Sequence, residues 1–343
     1  MELLLSHRSA LEYWRLYGDA QGATGQRQAR RAAPVEAPDI SALRNPQLGG
    51  LTLPLDVTVS TKKSYRKSND IRSYVFEAVL PRGSVVDVGG GLLVSSPELC
   101  FFQMASELVL VKLIELGFEL CGSYSLPGPR TTAGIEDAGS AVTGPQVAGS
   151  ADAATTLGSG EKGFINRSLL TSTKKLSDLA AQIAGSHGTK KAIRALQYIE
   201  NGSASPMETV LVMLLSLPYK LGGYGLCMPE LNAHITPAKS AKRIAGQAYY
   251  SCDLFWPDYD VAVEYDSDLF HTGADRIARD SKRRNALASM GITVVTVTNK
   301  QMRKVMEFEK VAKILATCTG KRLHHNENPK FHGAQRELRS LLL

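Results

Sequence analysis

The stretch CDLFWPDYDVAVEYDSDLFH, from Cys252 to His271, decides how the carboxy-terminal third of this chain is read. Two strand-like runs flank a short polar turn at Asp258 and Tyr259, the pattern of an antiparallel hairpin. If Pro257 pairs with Asp260, counting outward from the turn sets Asp253 opposite Glu264, with β-carbons about 4.5 to 5.5 Å apart. Alternation along the second strand puts Val261, Val263 and Tyr265 on one face and Ala262, Glu264 and Asp266 on the other. Two buried carboxylates so close repel each other and raise each other's pKa unless a cation neutralises them. Hard oxygen donors without paired cysteine or histidine favour magnesium or manganese over zinc. Such an ion polarises a phosphate and acidifies an attacking water. The competing reading is a solvent-facing acidic hairpin that holds no ion.

Outward from the hairpin, the pattern from Ser205 reads helix, strand, strand, helix, strand, helix. SPMETVLVMLLSLP opens a helix with Ser205 as N-cap, Pro206 at its first position and Glu208 three residues after the cap. Strands are expected near Ala248 to Trp256 and Asp260 to Asp266, and a helix from about Gly273 to Met290. The strand ITVVTVT and an amphipathic helix after Thr298 follow. Trp256 and Tyr265 are expected in the core. Glu208 reads as the glutamate of a capping box. In DSKRRNAL, Lys282, Arg283 and Arg284 suit phosphate contacts, while Asp280 four residues before Arg284 suits an ordinary helix-surface ion pair.

These motifs resemble the PD-(D/E)XK nuclease superfamily, whose core order is αβββαβ. Ser205 to Thr298 is similar within it to the very-short-patch-repair-like endonucleases: SPMET, CDLFWP, VEYDS, His271, Asp280 with Arg284, and GITVV stand where that family has related motifs. The resemblance implies a restriction-endonuclease-like fold and Mg²⁺- or Mn²⁺-dependent hydrolysis of DNA. It implies Asp253 and Glu264 as metal ligands, and for Glu208 it implies an extra acid at the metal as the alternative to a capping-box glutamate. Asp266 stands where the superfamily has a lysine that orients the attacking water, so Asp266, His271 and Lys282 become candidates for that work or for a second ligand. The alternative is a catalytically inactive nucleic-acid-binding or toxin–antitoxin regulatory module that keeps the nuclease fold.

The 343 residues are 43% hydrophobic, enough for two modest domains, and their formal charge of +7 permits a polyanionic partner without requiring one. Gly128 to Gly160 is poor in large apolar residues and reads as a flexible linker or insertion. The expected organisation is α+β throughout: a small α+β domain over 1–127, the linker over 128–161, a helical connector over 162–203, the nuclease-like domain over 204–319 and a solvated basic tail over 320–343. That tail contains His324, His325 and His332. In the first domain LDVTVS, YVFEAVLP and VVDVGGGLLVSS read as strands, followed by a helix capped at Ser96. His7 and Ser9 near Glu12 lack a third partner and read as structural.

LSHRSALEYWR and GLLVSSPELCFFQMA resemble the carboxy-terminal domain of AbiEi-type antitoxins, although the winged helix that would bind operator DNA is missing. The resemblance implies a protein partner for the amino-terminal domain and, beside a nuclease-like region, a place in phage defence or a toxin–antitoxin-like system. Five scattered cysteines form no CxxC pair, which suits a reducing compartment. The amino terminus lacks signal-peptide character, and the apolar window from Leu99 to Cys121 contains Glu107, Lys112, Glu115 and Glu119, too many charges for a membrane span. The expected location is the cytoplasm.

Overall fold

The computed structural model describes residues 2–21, 26–27, 32–38, 45–128, 163–183, 188–236, 249–266, 274–323 and 330–343. The first sheet gathers β1 (Leu3–Leu5), β2 (Gln26–Arg27), β3 (Leu55–Val59), β4 (Ile71–Val75), β5 (Val85–Gly89) and β6 (Leu92–Ser95) in the order β2-β5-β6-β1-β3-β4. Helix α1 (His7–Gln21) packs against β3 and against α2 (Pro97–Met104). Ser96 caps α2 by accepting from the Leu99 amide, with Pro97 in the first turn, as the SSPE sequence demands. The sequence reading missed β1, since three leucines are too short a run to show periodicity, and it set β4 a few residues late.

Helix α3 (Leu110–Leu120) follows, then the short pair β7 (Tyr124–Ser125) and β8 (Ile165–Asn166), then α4 (Thr173–Gln182) and α5 (Thr189–Leu196). The expected linker lies almost wholly outside the described residues. On its two sides, α3 and α6 (Pro206–Ser216) pack together, and one apolar core runs from Leu3 and Phe101 through Phe118 to Leu211, Leu254 and Phe308.

The second sheet consists of β9 (Glu230–Ile235), β10 (Tyr250–Trp256), β11 (Val261–Asp266) and β12 (Thr293–Thr298) in the order β12-β11-β10-β9. β9–β10 and β10–β11 pair antiparallel and β11–β12 parallel. Between β11 and β12 runs α7 (Ala274–Ser289), as a parallel connection requires. From α6 the order is therefore αβββαβ, with β9 the strand that the sequence pattern did not reveal. ELNAHI mixes polar and apolar residues, its burial alternates poorly, and Asn232 sits at φ +49°.

The sheet has two differently covered faces. Leu254, Trp256, Val261, Val263 and Val297 join the main core, whereas Phe255 and Ala262 pack with Ala286, Leu287 and Ile292 in a second cluster beneath α7. Trp256 therefore lies in the core, and Tyr265 packs against it partly buried. Helices α8 (Asn299–Arg303) and α9 (Val305–Cys318) follow β12, with Thr298 and Gln301 forming a capping box at the start of α8.

The expectation of a solvated tail is corrected in its last part. Phe331–Leu342 forms α10, which packs on α3, α6 and the turn at Tyr219–Leu221. Phe331, Gln335, Leu338 and Arg339 are buried, at the i, i+4, i+7, i+8 spacing of one helical face. His332 points outward, and His324 and His325 lie outside the described residues. Among the described residues no helix is long and apolar enough to cross a membrane.

Candidate active site

The hairpin register is the one that counting from the turn gives: Trp256 pairs with Val261, Phe255 with Ala262 and Leu254 with Val263. One step further, where Asp253 meets Glu264, the ladder ends. Asp253 Oδ2 instead accepts a 2.7 Å hydrogen bond from the Tyr265 amide. On the other side, the pairing of β10 with β9 passes from Cys252↔Ala233 to Leu254↔Leu231, skipping Asp253 and Asn232. The face alternation slips at the same place, since Tyr250 and Cys252 join the cluster under α7 while Leu254 and Trp256 join the main core. A side chain that fills a gap in the ladder is not held to either face as a regular strand residue would be. Asp253 takes no further hydrogen bond from a described residue through Oδ1.

Asn232, with its left-handed backbone, sends its side chain to the carboxylate of Glu208. Its Nδ2 donates to Glu208 Oε2 at 2.8 Å and to the Gly202 carbonyl at 2.9 Å. The Ala204 amide donates to the same Glu208 oxygen at 2.9 Å. Ser205 caps α6 by accepting from the Glu208 amide at 3.2 Å. Half of the capping box is thus present, but the glutamate reaches back one residue beyond the cap. Glu208 is buried, and its pKa is raised first by that burial and then by the negative charge of Asp253, against the pull of its hydrogen bonds. Asp253 is raised by burial too, opposed by the Tyr265 amide and by the positive charge of Arg283. Helix α6 packs on β10, and Glu208 lies close enough to Asp253 to feel its charge.

Glu264 has a different neighbour. Its Oε1 lies 2.7 Å from Arg283 Nη2, and the same guanidinium group donates to the Ser251 carbonyl beside the Cys252 thiol. Arg283 precedes Ala286 and Leu287 by three and four residues, so it lies on the face of α7 that covers the second cluster. Burial and the charge of Glu264 push the Cys252 thiol up to about 11, which leaves it an inert thiol. Lys282 and Arg284 flank Arg283 and are exposed. Asp266 is exposed at the end of β11, paired with Thr298. His271 and the side chain of Asp280 lie outside the described residues.

Among the described residues no three His, Cys, Asp or Glu side chains are grouped as a ready metal cage. The donors that are present still suit a hard divalent cation. Burial raises the cost of ionising both carboxylates, and the charge of Asp253 raises it further for Glu208, a cost that a cation would offset. Glu264 would complete the set only on leaving Arg283. Glu208 also borders an open cleft of about 710 Å³ whose walls include Asn166, Arg167 and Ser168. Asn232 is the residue that sequence reasoning missed, because it lies on the strand that the hydrophobic pattern concealed.

No family model and no solved structure matches the chain. Two curated relatives from Mycobacterium tuberculosis do, "Uncharacterized protein MT2308" of strain CDC 1551 / Oshkosh and "Uncharacterized protein Rv2248" of strain ATCC 25618 / H37Rv. Each is 27% identical over 140 residues, 40% of this chain and 46% of the relative, so the match spans about half the length of those proteins.

Proposed function

We propose that the chain is a metal-dependent endonuclease that hydrolyses phosphodiester bonds in DNA, with a PD-(D/E)XK-like site built on α6, β10 and β11. The observation that carries this reading is the meeting of Glu208 with Asp253 at the break in the β10–β11 ladder, one step from Glu264. The αβββαβ order and mixed sheet support it. Glu208 and Asp253 would hold Mg²⁺ or Mn²⁺, with Glu264 joining them. The ion would supply charge stabilisation at the scissile phosphate and an acidified water. Asn232 and the Ala204 amide fix the Glu208 carboxylate, and the Tyr265 amide fixes Asp253. Lys282 and Arg284 face solvent on α7, free to meet phosphate, whereas Arg283 is turned inward. Asp266 and His271 are further proposals, as ligand or proton acceptor.

The Arg283–Glu264 pair favours a second reading, a nucleic-acid-binding or toxin–antitoxin regulatory module in which an arginine occupies the place of the ion. One experiment separates the two. Purified protein is incubated with supercoiled plasmid and with single-stranded DNA in Mg²⁺ or Mn²⁺, with and without chelator. Metal-dependent cleavage that disappears in Asp253→Asn and Glu264→Gln supports the nuclease. DNA binding without cleavage, and no heat of Mn²⁺ binding, supports the regulatory module.

A further inference from the structure

The cleft beside Glu208 has a second wall, formed by the short pair β7–β8, which precedes α6 in the chain. Hydrogen bonds fix the two walls to each other. The Ser123 amide donates to the Ser203 carbonyl at 2.8 Å, and the Gly202 amide donates to the Cys121 carbonyl at 3.0 Å. A β-carbon on Gly122 would lie 2.6 Å from the Ser203 carbonyl oxygen, so only glycine allows this approach. The Tyr124 and Thr209 hydroxyls are 2.9 Å apart, and Thr209 also meets the Ser203 hydroxyl at 2.8 Å. Thr209 follows Glu208 on α6, so the buried network that seats β7 seats the acid as well.

Arg167 is 7% exposed and ties β8 to its surroundings. Its Nε donates to the Tyr124 carbonyl at 2.9 Å, its Nη2 to the Glu119 carbonyl at 2.8 Å and its amide to the Ser123 carbonyl at 3.0 Å. The two ionisable side chains in the lining are thus both engaged within the protein, Arg167 by these carbonyls and Glu208 by Asn232 and the Ala204 amide. The other lining residues are neutral. Phe164, half-buried and edge-on to Tyr124 at 6.2 Å and 85°, supplies an aromatic ring. Ser123, Ser168 and Ser205 supply hydroxyls and Asn166 a carboxamide, with Asn166 and Ser168 exposed.

An aromatic ring beside neutral hydrogen-bonding groups is the chemistry that recognises a nucleobase. The ring offers a stacking surface to any base, and a carboxamide can both donate to and accept from a base edge. The volume of about 710 Å³ lies within the range of pockets that enclose small molecules, roughly 300 to 1,000 Å³. A base inside a duplex cannot reach such a ring without being extruded from its stack, whereas an unpaired base can.

We propose that this cleft takes one unpaired nucleotide of a DNA strand next to the scissile phosphate, its base lying on Phe164 and its edge meeting Asn166. The inference rests on the assignment of Glu208 and Asp253 to the site of cleavage and deepens it, because the substrate becomes single-stranded or frayed DNA.

The test uses the full chain and a short fluorescent oligodeoxynucleotide, single-stranded and as the duplex with its complement, titrated at low salt in chelator so that no cleavage intervenes. The single strand should bind more tightly than the duplex. Phe164→Ala should weaken the single strand about tenfold, Phe164→Tyr should restore it, and the duplex should bind alike in both variants. Asn166→Ala, at an exposed position, should weaken the single strand severalfold with no change in thermal midpoint. A single strand carrying iodouracil should crosslink to Phe164 under light, a readout in the wild type that does not depend on how Phe164→Ala folds. The subsite is overturned if the wild type prefers the duplex, if neither alanine variant weakens the single strand, or if the crosslink maps elsewhere. Failure of the nuclease reading shows separately, as single-strand binding that depends on Phe164 in a protein that cleaves no DNA with Mg²⁺ or Mn²⁺; the nucleotide site then stands and the cleavage does not.

Discussion

Arg283 Nη2 lies 2.7 Å from Glu264 Oε1, so the carboxylate expected to face a metal ion faces an arginine from the next helix. Ion and guanidinium compete for one carboxylate, and both side chains of the pair keep some solvent exposure. Their interaction is therefore worth only about 1 kcal/mol. Arg283→Met should tighten Mn²⁺ binding by about fivefold, since 1.4 kcal/mol corresponds to a factor of ten. Isothermal titration of wild type and variant checks this. Equal affinity in both would place the ion away from Glu264.

The meeting of Glu208 and Asp253 makes an opposite prediction for stability and for binding. Both carboxyls are raised by burial, Glu208 also by Asp253, so the folded state holds their protons more tightly than the unfolded state does. Stability from this pair is greatest below their ordinary pKa values and falls as pH rises through the raised ones. Glu208→Gln keeps an acceptor for Ala204 and Asn232 and removes the charge. Its thermal midpoint at pH 8 should exceed that of the wild type by a few degrees, with a smaller difference at pH 4. Mn²⁺ binding should be lost in the same variant. A midpoint that drops at both pH values would mean that Glu208 serves its helix cap alone.

How far the site could be read from the sequence follows from these residues. The hairpin register as far as Leu254 against Val263 was legible because the turn at Pro257–Asp260 fixes the count and the Val261 and Val263 pattern fixes the face. The inward turn of Arg283, expected to contact phosphate with Lys282 and Arg284, was not read; it follows from its place three and four residues before Ala286 and Leu287, which the structure buries. Three adjacent cations conceal which one points in unless the apolar stripe of the helix is traced through them. The break at Asp253 was not legible. It depends on Asn232 and its left-handed backbone, on a strand whose mixed composition gives no period. Glu208 lies at the start of α6, whose cap Ser205 accepts from its amide, and also feels the charge of Asp253, so its sequence position alone fits both readings.

Helix α10 offers a test of the corrected carboxy terminus. Phe331 is 1% exposed and stacks edge-on with Tyr219, while Gln335 donates to the Tyr224 hydroxyl at 2.9 Å. Phe331→Ala should destabilise the protein by about 3 to 5 kcal/mol, the cost of emptying a buried aromatic site. His332→Ala, one residue further on the exposed side, should fall within about 0.5 kcal/mol of wild type. Urea denaturation of both measures the difference. Equal midpoints would mean that the helix does not pack as described.

His7 carries the last prediction, a dependence of stability on pH. Its imidazole is neutral in the fold, with a pKa lowered from 6.5 to about 4, chiefly by burial; Asp56 pulls the other way and Arg72 reinforces the lowering. Between those two values the unfolded chain binds a proton that the folded chain refuses, so stability rises with pH there. The contribution is fully present above pH 6.5 and declines on acidification toward pH 4. A shift of that size corresponds to on the order of 3 kcal/mol. Comparison with a variant isolates the contribution of the histidine. His7→Asn suits the positive φ, because asparagine tolerates the left-handed region better than most residues, and it has no proton to gain. The variant should therefore show a flatter loss of stability between pH 6.5 and pH 4.5 in urea titrations at each pH, whatever its stability at neutral pH. Parallel curves for variant and wild type would mean that His7 takes up its proton in the folded protein as readily as in the unfolded one.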